Sequence, residues 1–275
     1  MPRIAIPVAQ SRDEDYVARA MPQYEQAIVQ AGGEPVRVPL DRTPAEVMKI
    51  IERCDGVLLP GSAADVDPAK YGAPPDPKTA PPDSKRDTVD ELLLQDAYNM
   101  RKPVLAICYG LQILNVYRSG TLVQHVPDWL PAEKSALINH EAGRKIAKAH
   151  NVEIEPESRL AEIVKSEAIT STFSVTPGKS GEPQLKPAPI VVSVNSSHHQ
   201  AADVIGDGLR TVARCAEDGV TEAIEGTTPG HWVLGVQWHP ERSVADDAPS
   251  RAIFRAFVEE ARATHGKLVG EFERV

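Results

Sequence analysis

The sequence predicts an α/β fold: a mostly parallel central sheet flanked by helices, with an antiparallel extension in the second half. Three observations carry that expectation. Strand-like and helix-like segments alternate through the first 120 residues, as parallel sheets with helical crossovers require. Pro103 to Ile107 is a continuous apolar run, the pattern of a strand covered on both faces. Beyond Val152, strand-like segments succeed one another with few helices between them.

Arg3 to Val8 reads as a short buried strand, and Tyr16 to Ala31 as a helix stopped by Gly32-Gly33. Pro35 to Leu40 alternates as a second strand would. Thr43-Pro44-Ala45-Glu46 opens a helix to about Arg53, with a threonine cap, proline at the first position and an acidic first turn. Asp55 to Gly61 is a strand running into a glycine turn. Residues 65–83, rich in proline and aspartate, predict a surface loop. A helix over Thr88 to Met100 precedes the apolar strand at Pro103 to Ile107, and a further helix runs to Tyr117, ended by Ser119-Gly120. Strands are expected at 152–154, 190–194, 209–213, 221–224 and 232–237. Ser250 to Thr264 is an amphipathic helix with Ile253, Phe254, Phe257 and Ala261 on one side. Residues 170–189 lack periodicity and read as a mobile insertion. No internal repeat or linker divides the chain, so residues 1–275 form one domain on this reading.

Composition narrows the function classes. Thirty Lys and Arg against 39 Asp and Glu give a net charge of −9, which argues against a nucleic-acid partner because phosphate binding needs a basic stripe. Ile4 to Val8 is too short for a signal core or a membrane span, so a cytoplasmic protein without membrane attachment is expected. Cys54, Cys108 and Cys215 are odd in number and have no metal-type spacing, suggesting neither a disulfide framework nor a zinc site.

Ala106-Ile107-Cys108-Tyr109-Gly110-Leu111-Gln112 joins the apolar strand to a helix. A nucleophile at such a bend stands at the carboxyl edge of the sheet, where open α/β folds bind ligands. The helix N-terminus favours thiolate over thiol, and the backbone N–H of Tyr109 is free to face a developing oxyanion. Cys54 and Cys215 lack such a setting and read as small core residues. Leu234 to Glu241 is a strand ending in His239-Pro240-Glu241. In extended chain, residues two apart project to one side, so Glu241 reaches the His239 imidazole and leaves its other nitrogen for the cysteine proton.

These segments resemble the class I glutamine amidotransferase superfamily, with its flavodoxin-like fold. They are most similar to its γ-glutamyl-γ-aminobutyrate hydrolase (peptidase C26) branch, the hydrolases of polyamine and putrescine breakdown. The landmarks are Leu58 to Ser62, Cys108 to Gln112, Gly120-Thr121-Leu122, Asn195 to Gln200 and Gly235 to Glu241. The resemblance implies a Cys108-His239-Glu241 triad and a second oxyanion N–H from Gly61 or Ser62 beside that of Tyr109. It implies Gln112, Ser196, Ser197 and His198 as substrate contacts, and a homodimer. It also implies a thioester route that cleaves a small γ-glutamyl amide to glutamate, with no cofactor. Tyr109 replaces the family's arginine, and Ser119-Gly120 its two glycines. Two rival readings share the fold: a glutaminase subunit supplying ammonia to a separate synthetase, and a non-catalytic sensor or scaffold.

No phosphate-cradle spacing occurs. His198-His199 lack a third ligand at a fitting spacing, so no metal is expected. Asp65, Asp67, Asp76 and Asp83 read as solvated loop charges, and Asp87 as a capping and packing residue.

Overall fold

In the computed structural model, β1 (Arg3–Pro7), α1 (Glu14–Gln30), β2 (Glu34–Val38), α2 (Pro44–Ile51), β3 (Gly56–Leu59), α3 (Ser84–Met100), β4 (Val104–Ile107) and α4 (Tyr109–Tyr117) follow one another in strict alternation. Then come β5 (Leu122–Val123), α5 (Val126–Trp129), α6 (Ala132–Ser135), β6 (His150–Ile154), α7 (Arg159–Lys165), β7 (Phe173–Pro177) and β8 (Pro183–Pro187). The chain continues through β9 (Ile190–Val194), β10 (Ala201–Ala202), β11 (Leu209–Cys215), β12 (Thr221–Gly226), β13 (Val233–Val236) and α8 (Ala248–Phe272). The structure describes residues 1–165, 173–177, 183–187 and 189–272, with side chains over 1–165 and 189–264.

Among the described residues, one sheet runs in the order β2-β1-β3-β4-β13-β12-β11-β6-β9. Every pair from β2 to β13 is parallel, and every pair from β13 to β9 is antiparallel. The predicted α/β class with an antiparallel extension therefore holds. The two halves meet at β13, a strand from late in the chain seated beside β4.

Side-chain alternation sorts the core into two layers. Ile4, Ile6, Leu58, Leu105, Ile107, Leu234 and Val236 face one side with Met21, Tyr24, Phe254 and Phe257 of α1 and α8. Ala5, Val57, Leu59, Val104, Ala106 and Val233 face the other with side chains of α2, α3 and α4. Ile253, Phe254, Phe257 and Ala261 are all buried, as the amphipathic reading of α8 requires.

Local chemistry explains the starts of the helices. Thr43 and Glu46 form a reciprocal capping box at α2. Helix α3 begins four residues earlier than periodicity suggests, because Asp83 caps it by accepting the N–H groups of Lys85 and Arg86. The same carboxylate accepts the N–H and the hydroxyl of Ser11, tying the helix to the end of β1. Asp83 is thus buried and not a solvated charge. Asp65 is buried as well, accepting the N–H of Ala80 and pairing with His199. Asp67 caps a short 3-10 turn at Pro68–Tyr71. The capping expected of Asp87 belongs to Asp83; Asp87 packs, accepting the Tyr109 hydroxyl at 2.7 Å.

Within the 170–189 insertion, β7 and β8 pair as an antiparallel hairpin, so part of that segment is regular. Its low apolar content and prolines hide the strands from periodicity arguments. Residues 170–172, 178–182 and 188 lie outside the described residues, and with them the expectation of mobility. Among the described residues, no helix is long and apolar enough to cross a membrane.

Candidate active site

The turn between β4 and α4 is tight because of what flanks Cys108. A Cβ on Gly110 would stand 2.2 Å from the carbonyl oxygen of Leu59, so only glycine lets α4 approach β3 this closely. Cys108 itself takes φ 55° and ψ −109°, a positive φ that costs a non-glycine residue on the order of 1–3 kcal/mol. Such a conformation persists only where its surroundings hold it. Here the Cys108 N–H donates to the Val236 carbonyl at 2.8 Å, and the side chain is 6% exposed at the head of α4.

His239 follows β13, the sheet neighbour of β4. Gly61, after β3, marks where the two residues meet: a Cβ there would lie 2.9 Å from His239 Cε1 and 3.6 Å from Cys108 Cβ. The His239 Nδ1 lies 2.8 Å from Glu241 Oε1. A carboxylate accepts only, so Nδ1 carries the proton and Nε2 presents a lone pair. Residues Pro240–Arg242 form a 3-10 turn, so Glu241 reaches the ring by a turn and not by extended alternation. The contact with Glu241 is present, and it is made through that turn.

Asn195 grips the backbone of this histidine from both sides. Its Nδ2 donates to the His239 carbonyl at 2.8 Å, and its Oδ1 accepts the His239 N–H at 3.0 Å. The Tyr24 hydroxyl sits 3.5 Å from Nδ1 and accepts the Gly61 N–H at 3.0 Å. Arg242 holds the rear, its Nε 3.5 Å from Glu241 Oε1 and its Nη1 donating to Ser197 Oγ at 2.8 Å. Burial disfavours the imidazolium, but Glu241 and Cys108 outweigh it, and the His239 pKa is raised above 6.5. Burial likewise opposes ionisation of Glu241, yet the charge and hydrogen bond of His239 hold its carboxyl below the ordinary value. Tyr16 is pushed up to about 12 by burial and then by Cys108 and Glu241, so it stays protonated beside them.

The remaining expected residues divide. The Gly61 N–H is committed to Tyr24, whereas among the described residues the Ser62 N–H donates to no protein acceptor. Tyr109 begins α4, where a first-turn N–H has no intrahelical partner. Its ring is buried with Arg86 5.0 Å above it. Gln112 is buried, its Nε2 donating to the Gln200 carbonyl at 3.2 Å and to Gln237 Oε1 at 3.4 Å. Ser196 turns inward to the His140 carbonyl, Ser197 holds Arg242, and His198 bonds through Nδ1 to the Gln200 carbonyl. These three side chains are engaged with protein groups in the 195–200 wall.

Sequence reasoning missed Tyr24, Arg242 and the grip of Asn195. It also missed Arg86, which is fully buried, bonds Asp90 through Nε, and donates to the carbonyls of Ala9 and Pro60. Nothing in the sequence marks Tyr24 within α1. Metal-type residues also converge where spacing gave no sign. His198 lies with His140, His150 and Glu222, all buried, while its neighbour His199 turns to Asp65 and His125.

The family described as Peptidase C26 matches residues 4–241. A Mycobacterium tuberculosis protein named as a glutamine amidotransferase, Rv2859c, is 35% identical over 89% of this chain and 68% of its own. The γ-glutamyl-γ-aminobutyrate hydrolase PuuD of Escherichia coli (strain K12) is 30% identical over 94% of this chain and 92% of its own. A solved structure described as a GMP synthase component from Thermoplasma acidophilum superposes at TM-score 0.59 with 16% identity, covering 98% of either chain. At that identity the likeness speaks to the fold.

Proposed function

The chain belongs to the peptidase C26 family and is a glutamine amidotransferase-like hydrolase, and from that premise we propose that Cys108, His239 and Glu241 cleave a γ-glutamyl amide bond. The observation that carries this reading is the 2.8 Å contact between His239 Nδ1 and Glu241, on a ring that meets Cys108 over Gly61.

The Cys108 sulfur attacks the γ-carbonyl carbon, its proton passing to His239 Nε2. The carbonyl electrons move to oxygen, which the N–H groups of Ser62 and Tyr109 face; Gly61 yields this role because Tyr24 takes its N–H. His239 gives the proton to the departing amine nitrogen as the C–N bond breaks, leaving a γ-glutamyl thioester. Water then loses a proton to His239 and attacks the thioester carbon. Glutamate leaves, and the proton returns to sulfur. Glu241 stays ionised throughout and fixes the tautomer that makes Nε2 a base. Similarity to PuuD supports γ-glutamyl-γ-aminobutyrate or a related γ-glutamyl amine as substrate.

The test compares turnover of γ-glutamyl-γ-aminobutyrate by wild type and Cys108→Ala. Wild type should release glutamate and the variant should not; comparable rates reject the assignment. The second reading, a glutaminase that serves a synthetase, is favoured by the name of the M. tuberculosis relative. Glutamine hydrolysis that appears only when a synthetase is added would select it.

A further inference from the structure

We propose that His140, His150, His198 and Glu222 form a closed, four-ligand site for a divalent transition cation, zinc in the first instance, behind the 195–200 wall. The four residues come from separate parts of the chain: a turn after α6, strand β6, the segment after β9, and strand β12. Each is buried, and one ligand atom from each lies within 4.8 Å of the others.

The distances decide between a hydrogen-bonded cluster and a metal cage. Glu222 Oε1 is 3.5 Å from His140 Nδ1, 3.4 Å from His150 Nε2 and 3.6 Å from His198 Nε2. These separations are long for a nitrogen–oxygen hydrogen bond. They match the edge of a tetrahedron, which is about 3.4 Å when the metal–ligand bonds are about 2.0–2.1 Å. Consistently, His150 Nε2, His198 Nε2 and both Glu222 oxygens have no hydrogen-bond partner.

The outward-facing nitrogens complete the argument. His140 Nε2 is 2.8 Å from Asp218 Oδ2, His198 Nδ1 is 2.9 Å from the Gln200 carbonyl, and His150 Nδ1 is 3.3 Å from the Asn151 carbonyl. All three partners are acceptors, so each of those nitrogens carries the proton. In the neutral rings the inward nitrogens then present lone pairs to a carboxylate that is also electron-rich, with Ser196 Oγ 3.5 Å from His140 Nδ1. Four lone pairs converging in a buried space repel one another unless a cation sits among them. Histidine ligands oriented by a carboxylate or carbonyl on the far nitrogen are the usual outer arrangement of metal sites.

Two smaller groupings share these residues, His140-Cys215-Asp218 and His150-Cys215-Glu217. Each offers three ligands, Glu217 is exposed, and the Cys215 Sγ already bonds Glu217 Oε2 at 3.3 Å. The four-residue set is therefore the site, with Asp218 outside it. Four protein ligands leave no open position, so the ion staples β6 and β12 to the wall that carries Asn195 and has no part in the bond cleavage.

The experiment strips the purified full-length protein with a chelator and titrates it with zinc against a competing chromophoric chelator. Wild type should bind one zinc per chain and melt at a higher temperature when loaded. His150→Gln and Glu222→Gln should each bind at least about tenfold more weakly and lose the thermal gain. Cys215→Ser and Cys108→Ala should bind as wild type does, which keeps this result independent of the hydrolase reading. Cobalt loading of wild type should give the intense visible bands of a tetrahedral site, a measurement that stands if the variants do not fold. Zinc uptake well below one per chain, octahedral cobalt bands, or undiminished binding by Glu222→Gln would overturn the proposal.

Discussion

Asn195 illustrates how much a single side chain can decide. Its carboxamide holds both backbone groups of His239, so Asn195→Ala removes two hydrogen bonds from the residue whose ring must stay over Gly61. We expect kcat to fall by about 10–100-fold, since a small misplacement of a catalytic group has that size of effect. KM should be nearly unchanged; an unaltered kcat would sink the positioning role. The His239–Glu241 pair makes a pH prediction. His239 is raised above 6.5, so its contribution to stability is full below about pH 6.5 and fades as pH rises through the folded value. Glu241 is lowered below 4.5, so its contribution is present above about pH 4.5 and fades as pH falls through the folded value. The stability difference between wild type and Glu241→Gln, from denaturant unfolding, should therefore be greatest between about pH 4.5 and 6.5. A flat difference would contradict the pairing. At this scale the sequence is legible where chemistry is local: His239 and Glu241 are two apart. Tyr24 against His239 spans 215 positions, and no pattern announces such a pair.

Among elements, the approach of α4 to β3 and the anchoring of α3 set the site. Gly110→Ala would drive a Cβ into the Leu59 carbonyl, a backbone atom that cannot swing aside. We expect a loss of about 3 kcal/mol, the upper end of overpacking costs, with Cys108 displaced and turnover lost. Tolerance of alanine there would mean that the turn is looser than described. Arg86 links α3 to the ends of β1 and β3 while neutralising Asp90. Arg86→Met leaves a buried carboxylate unpaired and should cost about 3–5 kcal/mol in denaturant unfolding. Arg86→Met with Asp90→Leu should recover part of that, and an additive loss would refute the pairing. Elements with strong periodicity or clean caps, such as α2 and β4, were readable from sequence. Helix α3 began earlier than expected because Asp83 looks like a loop residue until Ser11 is brought beside it.

At the scale of the molecule, alternation of strands and helices in the first half, and strands alone in the second, were enough to read the α/β class. The strand order was not legible. Nothing in 233–236 says that this segment lies between β4 and β12, because its apolar residues would suit any buried position. The same holds for His140, His150, His198 and Glu222, whose convergence depends on the antiparallel pairing of β6, β9, β11 and β12 and on the His198 N–H donating to the His140 carbonyl.

If Cys108 and His239 act as proposed, that late strand fixes when, during synthesis, the protein becomes chemically competent. Cys108 emerges from the ribosome long before His239, and the hydrogen bond that seats its own N–H comes from Val236. On the proposed mechanism a growing chain carries a thiol without its base, and the reactive centre matures only as the final stretch docks. Stalled nascent chains exposing residues 1–230 should alkylate at Cys108 no faster than an ordinary cysteine, and fully exposed chains should react faster. Equal rates would show that the thiol's reactivity owes nothing to that last insertion.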